Sequence, residues 1–172
     1  MSLSKWIPLL LITPLAIAID QVAKIWVINN LYLYDPTQIA DFLYPYLQIT
    51  RTTNTGFAFG LASGGNLIIL NLAIIITGVL LWMYYQTQPN ERIQRMAFAL
   101  VIGGAIGNII DRIRLGHVVD FVHVTIFNIN NVSNFADHFV VIGVIILILD
   151  SFFGDHDEAE TTNQLEASSA EG

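Results

Sequence analysis

Four long runs of apolar side chains constrain this sequence more than any other feature. The first, Trp6 to Ile28, reads WIPLLLITPLAIAIDQVAKIWVI, and the others lie within Asn66 to Tyr85, Met96 to Ile110 and His138 to Phe153. A helix needs about 20 apolar residues to cross the hydrocarbon layer. Inside lipid every backbone polar group must be paired within the protein, which a helix achieves by itself. The runs therefore predict four membrane-spanning helices, over about 6–28, 66–85, 93–113 and 136–153. A cleaved signal peptide is the rival for the first run. Its apolar core would be about 7–15 residues, followed by a small-residue cleavage site. Here the run continues through Asp20 and Lys24 to Trp26. Only 12% of all residues are charged, about half the share usual in soluble domains, which fits an integral membrane protein.

The segments between the runs have a different texture. Residues 29–65 are too polar and too broken to span. Leu47 to Thr53 is rich in β-branched residues, which favours a strand, and Asn54-Thr55-Gly56 is a turn signal. Tyr32, Tyr34, Phe42, Tyr44 and Tyr46 suit a segment lying at the membrane–water interface. The stretch VVDFVHVTIF, within Arg114 to Asn134, is again β-like. The expected fold is thus a mainly α membrane protein: four transmembrane helices, a small β-sheet on the side away from the termini, and an interfacial lid segment at Asn29 to Pro45. One integral membrane domain is expected over 1–154, and the acidic, aromatic-free 155–172 is expected to be disordered.

Several function classes drop out. The seven basic residues are scattered in a chain of net charge −7, so there is no nucleic-acid footprint. There is no cysteine, hence no disulfide, thiolate nucleophile or Cys-held metal. The four histidines lack H-E-x-x-H spacing, and nothing in the pattern argues for a metal. Four spans place both termini on one side. Lys5, Arg92 and Arg95 fall on that side, and Lys24, Arg51, Arg112 and Arg114 on the other, so basic bias does not decide the orientation.

The polar groups gather at span ends. Gly103 to Phe121, GGAIGNIIDRIRLGHVVDF, passes from small-residue helix to charged loop and contains Asn108, Asp111, Arg112 and Asp120. Ionisable groups placed there are functional candidates by default. Asp137 follows 137 − 120 = 17 residues after Asp120, room for the chain to leave and return. Two carboxyls brought close cannot both ionise cheaply, so one keeps its proton. Such a pair suits hydrolysis, with one carboxylate activating water and one carboxyl polarising a carbonyl. On spacing alone, each aspartate is more readily a loop or helix-capping residue, Asp137 above all. Asn108, Asp111 and Arg112 share a helix face, with Arg112 free to grip a carboxylate, meet a lipid phosphate, or snorkel. Asp20 and Lys24, four apart, share a face as a packing ion pair or as a substrate contact. Asn54 and Gly56 sit in a turn that needs no function. Gly103-x-x-x-Gly107 reads as close helix packing, and Gly116 as a helix-ending glycine.

Four patches, in order, resemble the signal peptidase II (lipoprotein signal peptidase) family: Asp20-Gln21-x-x-Lys24; Asn54-x-Gly56-x-x-Phe59-Gly60; Gly103-Gly104-x-x-Gly107-Asn108-x-x-Asp111-Arg112-x-x-x-Gly116-x-Val118-Val119-Asp120-Phe121; and Asn134-x-Ala136-Asp137. The third is long and specific. The resemblance implies an aspartic endopeptidase of the bacterial cytoplasmic (inner) membrane. It implies cleavage of the signal peptide of prolipoproteins just before a Cys that carries diacylglycerol. Asp120 and Asp137 map to the catalytic pair, and Asp20, Lys24, Asn54, Gly56, Asn108, Arg112, Asn134 and Ala136 to the supporting residues. It further implies no metal or cofactor, membrane lipids and globomycin-type inhibitors as partners, and a single chain at work. The termini are then cytoplasmic, the sheet extracytoplasmic, and the site near the outer leaflet. A substrate strand pairing with Leu47 to Thr53 is expected by strand addition. Ala23, Ser133 and His138 depart from the family pattern, where Ser or Thr, Phe, and a small residue are usual. Three rivals remain at this stage. One is a small proton- or ion-coupled transporter with Asp20, Lys24, Asp111 and Arg112 as a relay. Another is a Ser–Lys peptidase using Lys24 with Ser63 or Ser133, and the third is an inactive packing subunit.

Overall fold

The computed structural model describes residues 3–38, 43–56, 65–88, 90–127 and 129–153. After a short 3-10 turn at Leu3–Trp6, the helices are α1 (Ile7–Asn30), α2 (Gly65–Gln86), α3 (Arg92–Leu115) and α4 (Phe135–Phe153). Each is long and apolar enough to cross a membrane. Between them lie β1 (Pro36–Gln38), β2 (Leu47–Asn54), β3 (Val118–Ile126) and β4 (Ile129–Ser133), one antiparallel sheet in the order β1-β2-β3-β4.

The helix α3 is the inner member of the bundle. It buries Ala97, Phe98, Ala99, Val101, Ile102 and the glycines 103, 104 and 107. By contrast, α1 exposes Leu10, Leu11, Leu15 and Val22, and α2 exposes Leu67, Ile68, Leu72 and Ile75. Apolar faces turned outward are what lipid contact requires, since the bilayer supplies no hydrophobic drive to bury them. Small residues let the helix backbones close in on α3. A Cβ on Gly103 would lie 2.8 Å from the Ala16 Cβ, and one on Gly107 would lie 2.8 Å from the Asp20 carboxylate. Gly104 does the same for α4, where a Cβ would collide with the Ala136 carbonyl. At one end Tyr84, Phe98 and Ile102 form a cluster with Trp6 and Leu9 against it. At the other, Val27, Val119 and Phe121 join α1 to the sheet.

Two turns set the polar end. Gly116 closes α3 in the left-handed region (φ 77°), its N–H bonded to the Arg112 carbonyl at 3.2 Å, the geometry glycine accepts most readily. Asn54 accepts the Gly56 N–H at 2.9 Å, with Gly56 at φ 77°. A Cβ at Gly56 would meet the tip of the Ile69 side chain of α2, and the positive φ is what favours glycine here.

Two expectations change. Leu47 to Thr53 is not an open edge along its length. β1 covers Gln48 to Thr50 and Leu33 bridges Arg51, while β3 takes the other side. Toward its end, Thr52 to Asn54 have no strand partner on the β1 side among the described residues. The expected lid at 29–45 begins as a continuation of α1 to Asn30 and is then tied to the sheet through the Tyr34 N–H on the Arg51 carbonyl (2.8 Å) and through β1. Residues 39–42 of that segment, Phe59, Gly60 and Ser63, and the tail at 155–172 lie outside the described residues.

Candidate active site

Asp120 sits on β3, cross-strand from Thr52 of β2. Asp137 sits in the first turn of α4. Asn134, between β4 and α4, joins them. Its Oδ1 accepts the Asp137 N–H (2.9 Å) and its Nδ2 donates to Asp120 Oδ1 (2.6 Å). Asn134 is therefore the N-cap of α4, a role short polar side chains favour because they satisfy a free helix N–H. This removes the capping interpretation of Asp137, whose carboxyl is left for other partners.

Three asparagines are oriented in the same way. In each, the side-chain oxygen is held by a group that can only donate, so the NH₂ must point the other way. Asn134 is held by the Asp137 N–H and Asn54 by the Gly56 N–H. Asn108 is held by the Lys24 ammonium at 3.0 Å. Asn54 and Asn134 then donate to the two oxygens of Asp120, at 3.0 and 2.6 Å. Asn108 donates to Asp137 Oδ1 at 2.7 Å.

Behind this shell lies an ion cluster almost wholly out of solvent. Lys24 is 1% exposed, Asp20 0% and Asp111 2%. The Lys24 ammonium lies 2.8 Å from Asp20 and 2.9 Å from Asp111, and with Asn108 its three protons are used. Asp20 accepts the Ala136 N–H at 2.9 Å, fixing the start of α4 from α1. Asp111 accepts the Val119 N–H at 3.1 Å, fixing the strand one residue before Asp120. The part of Ala136 is thus its backbone, with a side chain small enough to lie against Gly107.

Of the readings open for Arg112, the carboxylate grip is not the one found. Its Nη1 donates to the Asn108 carbonyl at 3.4 Å, and its Nε is buried without a partner. No carboxylate reaches it as an ion pair among the described residues. Gln21 and Asn66 were not among the expected site residues. Gln21 bonds Asp20, the Gly107 carbonyl, Asp111 and Arg114; its place beside Asp20 in the first motif was the available signal. Asn66 of α2 lies 3.5 Å from the Arg112 carbonyl, and no sequence pattern marks it.

Burial dominates the electrostatics of Asp120, which is 3% exposed. Loss of solvent raises its pKa to about 6; the Asn54 and Asn134 donors pull it down, and Asp137 adds to the rise. With its pKa raised, Asp120 can keep a proton in weakly acidic conditions. Among the described residues no three His, Asp or Glu side chains gather to hold a metal ion. Beside the sheet an open apolar cavity of about 610 Å³ is lined by Ile19, Val22, Trp26, Val27, Phe121 and Phe135, among others.

A membrane bundle that carries a paired-carboxyl site at one end fits the class of membrane aspartic peptidases. The family described as Signal peptidase (SPase) II matches residues 12–153, and the chain belongs to it. The lipoprotein signal peptidase of Bartonella henselae is 40% identical over 144 residues, covering 79% of this chain and 83% of that protein. That of Moorella thermoacetica is 35% identical over 140 residues, 81% and 89% of the two chains. A bacterial membrane enzyme solved by the in meso method at 1.9 Å superposes with a TM-score of 0.77 at 32% identity, over 86% of this chain and 93% of that one.

The rival chemistries lose their geometry here. The transporter relay would run through Lys24 and its carboxylates, yet these form a closed, mutually saturated cluster. For a Ser–Lys pair, Ser133 bonds His138 rather than Lys24, and Ser63 lies outside the described residues.

Proposed function

We propose that Asp120 and Asp137 are the catalytic pair of an endopeptidase that cleaves diacylglyceryl-modified prolipoproteins just before the lipidated Cys. The observation that carries this reading is Asn134, which bonds the Asp120 carboxyl and the Asp137 backbone with one side chain. One carboxylate of the pair takes a proton from water, and the oxygen adds to the scissile carbonyl. The protonated partner gives its proton to the carbonyl oxygen. Collapse of the tetrahedral intermediate returns a proton to the leaving amine and leaves the pair with its single proton again. No covalent enzyme intermediate forms.

The supporting residues divide by what they touch. Asn54, Asn108 and Asn134 hold the carboxyls; Asp20, Lys24, Gln21 and Asp111 hold the elements that carry them. Gly56 keeps the Asn54 turn against α2. Arg112, which makes no ion pair among the described residues, is the cation left to meet substrate. The side of Thr52 to Asn54 without a strand partner suits an extended substrate backbone, and the apolar cavity suits an acyl chain of the substrate or of a bilayer lipid. In this reading the chain is one integral domain over 1–154 in the cytoplasmic membrane, with both termini cytoplasmic and the site near the outer leaflet. It works as a monomer without a cofactor, and globomycin-type cyclic peptides compete for the site.

The test uses purified chain in lipid with a prolipoprotein presented with and without its diacylglyceryl group. Cleavage of the lipidated form, giving a product that begins at the modified Cys, is expected. Equal cleavage of the unlipidated form, or a cut elsewhere, contradicts the proposed substrate class.

A further inference from the structure

We infer that Ser133 and His138 are positioning residues for the catalytic pair, acting as a polar staple at the entry to α4. Asn134 caps the helix, so Ser133 stands just outside the cap and His138 is the fourth helical residue. In many helices these two positions carry apolar side chains whose contact fixes the angle of chain entry. Here they are joined by a hydrogen bond, Ser133 Oγ to His138 Nε2 at 3.1 Å. A hydroxyl and an imidazole nitrogen can exchange donor and acceptor roles, so the link does not depend on one tautomer.

The staple encloses the segment that matters. Between its ends lie Asn134, whose amide bonds Asp120, and Asp137 itself. It is braced on both sides. Ser133 pairs in register with Val122 of β3, two residues after Asp120. The His138 ring lies 6.4 Å from the Phe135 ring, which meets Phe121, the neighbour of Asp120, edge-on at 5.1 Å. The proposed chemistry uses neither Ser133 nor His138. Their contact sets how the Asp137 helix turns away from the Asp120 sheet, and so the separation of the two carboxyls.

The inference rests on the proposed role of Asp137, so Asp137→Asn serves as the reference. Ser133→Ala and His138→Ala, purified in detergent as single folded species, are each expected to lower kcat about tenfold with KM little changed. That is short of the roughly hundredfold that a full ångström of misplacement costs. Ser133→Val combined with His138→Leu replaces the polar staple by an apolar one and is expected to recover most of the lost kcat. Wild-type kcat in both single variants, with Asp137→Asn inactive, overturns the inference and leaves the proposed function standing. A double variant no faster than the singles also overturns it, because it assigns His138 a chemical rather than a positioning role. Activity in Asp137→Asn overturns the proposed function and the inference with it.

Discussion

Asp120 is a carboxyl that burial pushes toward protonation while two amide donors pull the other way. Burial wins, and the group titrates at about 6 rather than near 3.8. A raised carboxyl pKa means that the proton stays on below about 6 and is lost above it. On the proposed mechanism, the pair then loses its shared proton, and with it the group that polarises the carbonyl. The alkaline limb of kcat/KM for the free enzyme is therefore expected to begin at about pH 6; a flat profile to pH 9 would contradict the assignment. Removal of the amide donors separates their roles. Asn134→Ala takes away a donor to Asp120 and the cap of α4, and costs about 1–3 kcal/mol of stability besides activity. Asn54→Ala takes away a donor to Asp120 and the acceptor of the Gly56 N–H in an exposed turn rather than a helix cap, so thermal unfolding in detergent is expected to show the smaller loss. At this scale the sequence singled out the aspartates through the motif resemblance, since spacing alone favoured a loop or capping role. The orientation of each asparagine was out of reach, because it depends on the folded position of one donor: Lys24 of another helix for Asn108, and backbone N–H groups two and three residues on for Asn54 and Asn134.

At the scale of elements, the buried ions Asp20, Lys24 and Asp111 decide how α1, α3, α4 and β3 meet, and the single cation of that cluster matters most. Lys24 balances Asp20 and Asp111 at 2.8 and 2.9 Å. Lys24→Met leaves two carboxylates in a buried site without a counter-charge, a change that costs about 3–5 kcal/mol in comparable pairs. A lower unfolding temperature is expected, partly recovered when Asp20→Asn and Asp111→Asn are added, while activity stays low because Asn108 has lost its anchor. Full activity in Lys24→Met would show that the cluster does not position the site. The helices were legible as elements, since runs of about 20 apolar residues have few alternatives. The sheet was legible only in part. β2 and the β-like texture of β3 follow from branched residues, whereas β1 is three residues long and β4, INNVS, carries two asparagines. Neither has a local signal; both form because β2 and β3 offer edges to pair.

For the whole molecule, every polar group described in the site lies between Asp20 and Asp137, and the family match ends at residue 153. A chain cut after Phe153 is expected to keep its cleavage rate within about twofold, well inside one factor of ten in barrier terms. A large loss, read as lipoprotein processing per unit of folded enzyme, would give the acidic segment a part in activity. The wider arrangement also explains why the apolar composition was informative and the basic residues were not. Of the four basic residues assigned to the far side, Lys24 is spent inside the bundle, Arg51 on the Ile28 and Leu31 carbonyls, and Arg114 on Gln21. Residues used that way carry little information about which side of the membrane they face.

The central claim, that Asp120 and Asp137, tied together through Asn134, do the chemistry, is tested most directly by the cleavage rate of a lipidated prolipoprotein with Asp120→Asn and with Asp137→Asn, each alone and each shown to be folded. Both are predicted to lose about 1,000-fold or more in kcat, with the double variant little worse than either, as expected for groups that act as a unit. Cleavage near the wild-type rate by either single variant would contradict the claim.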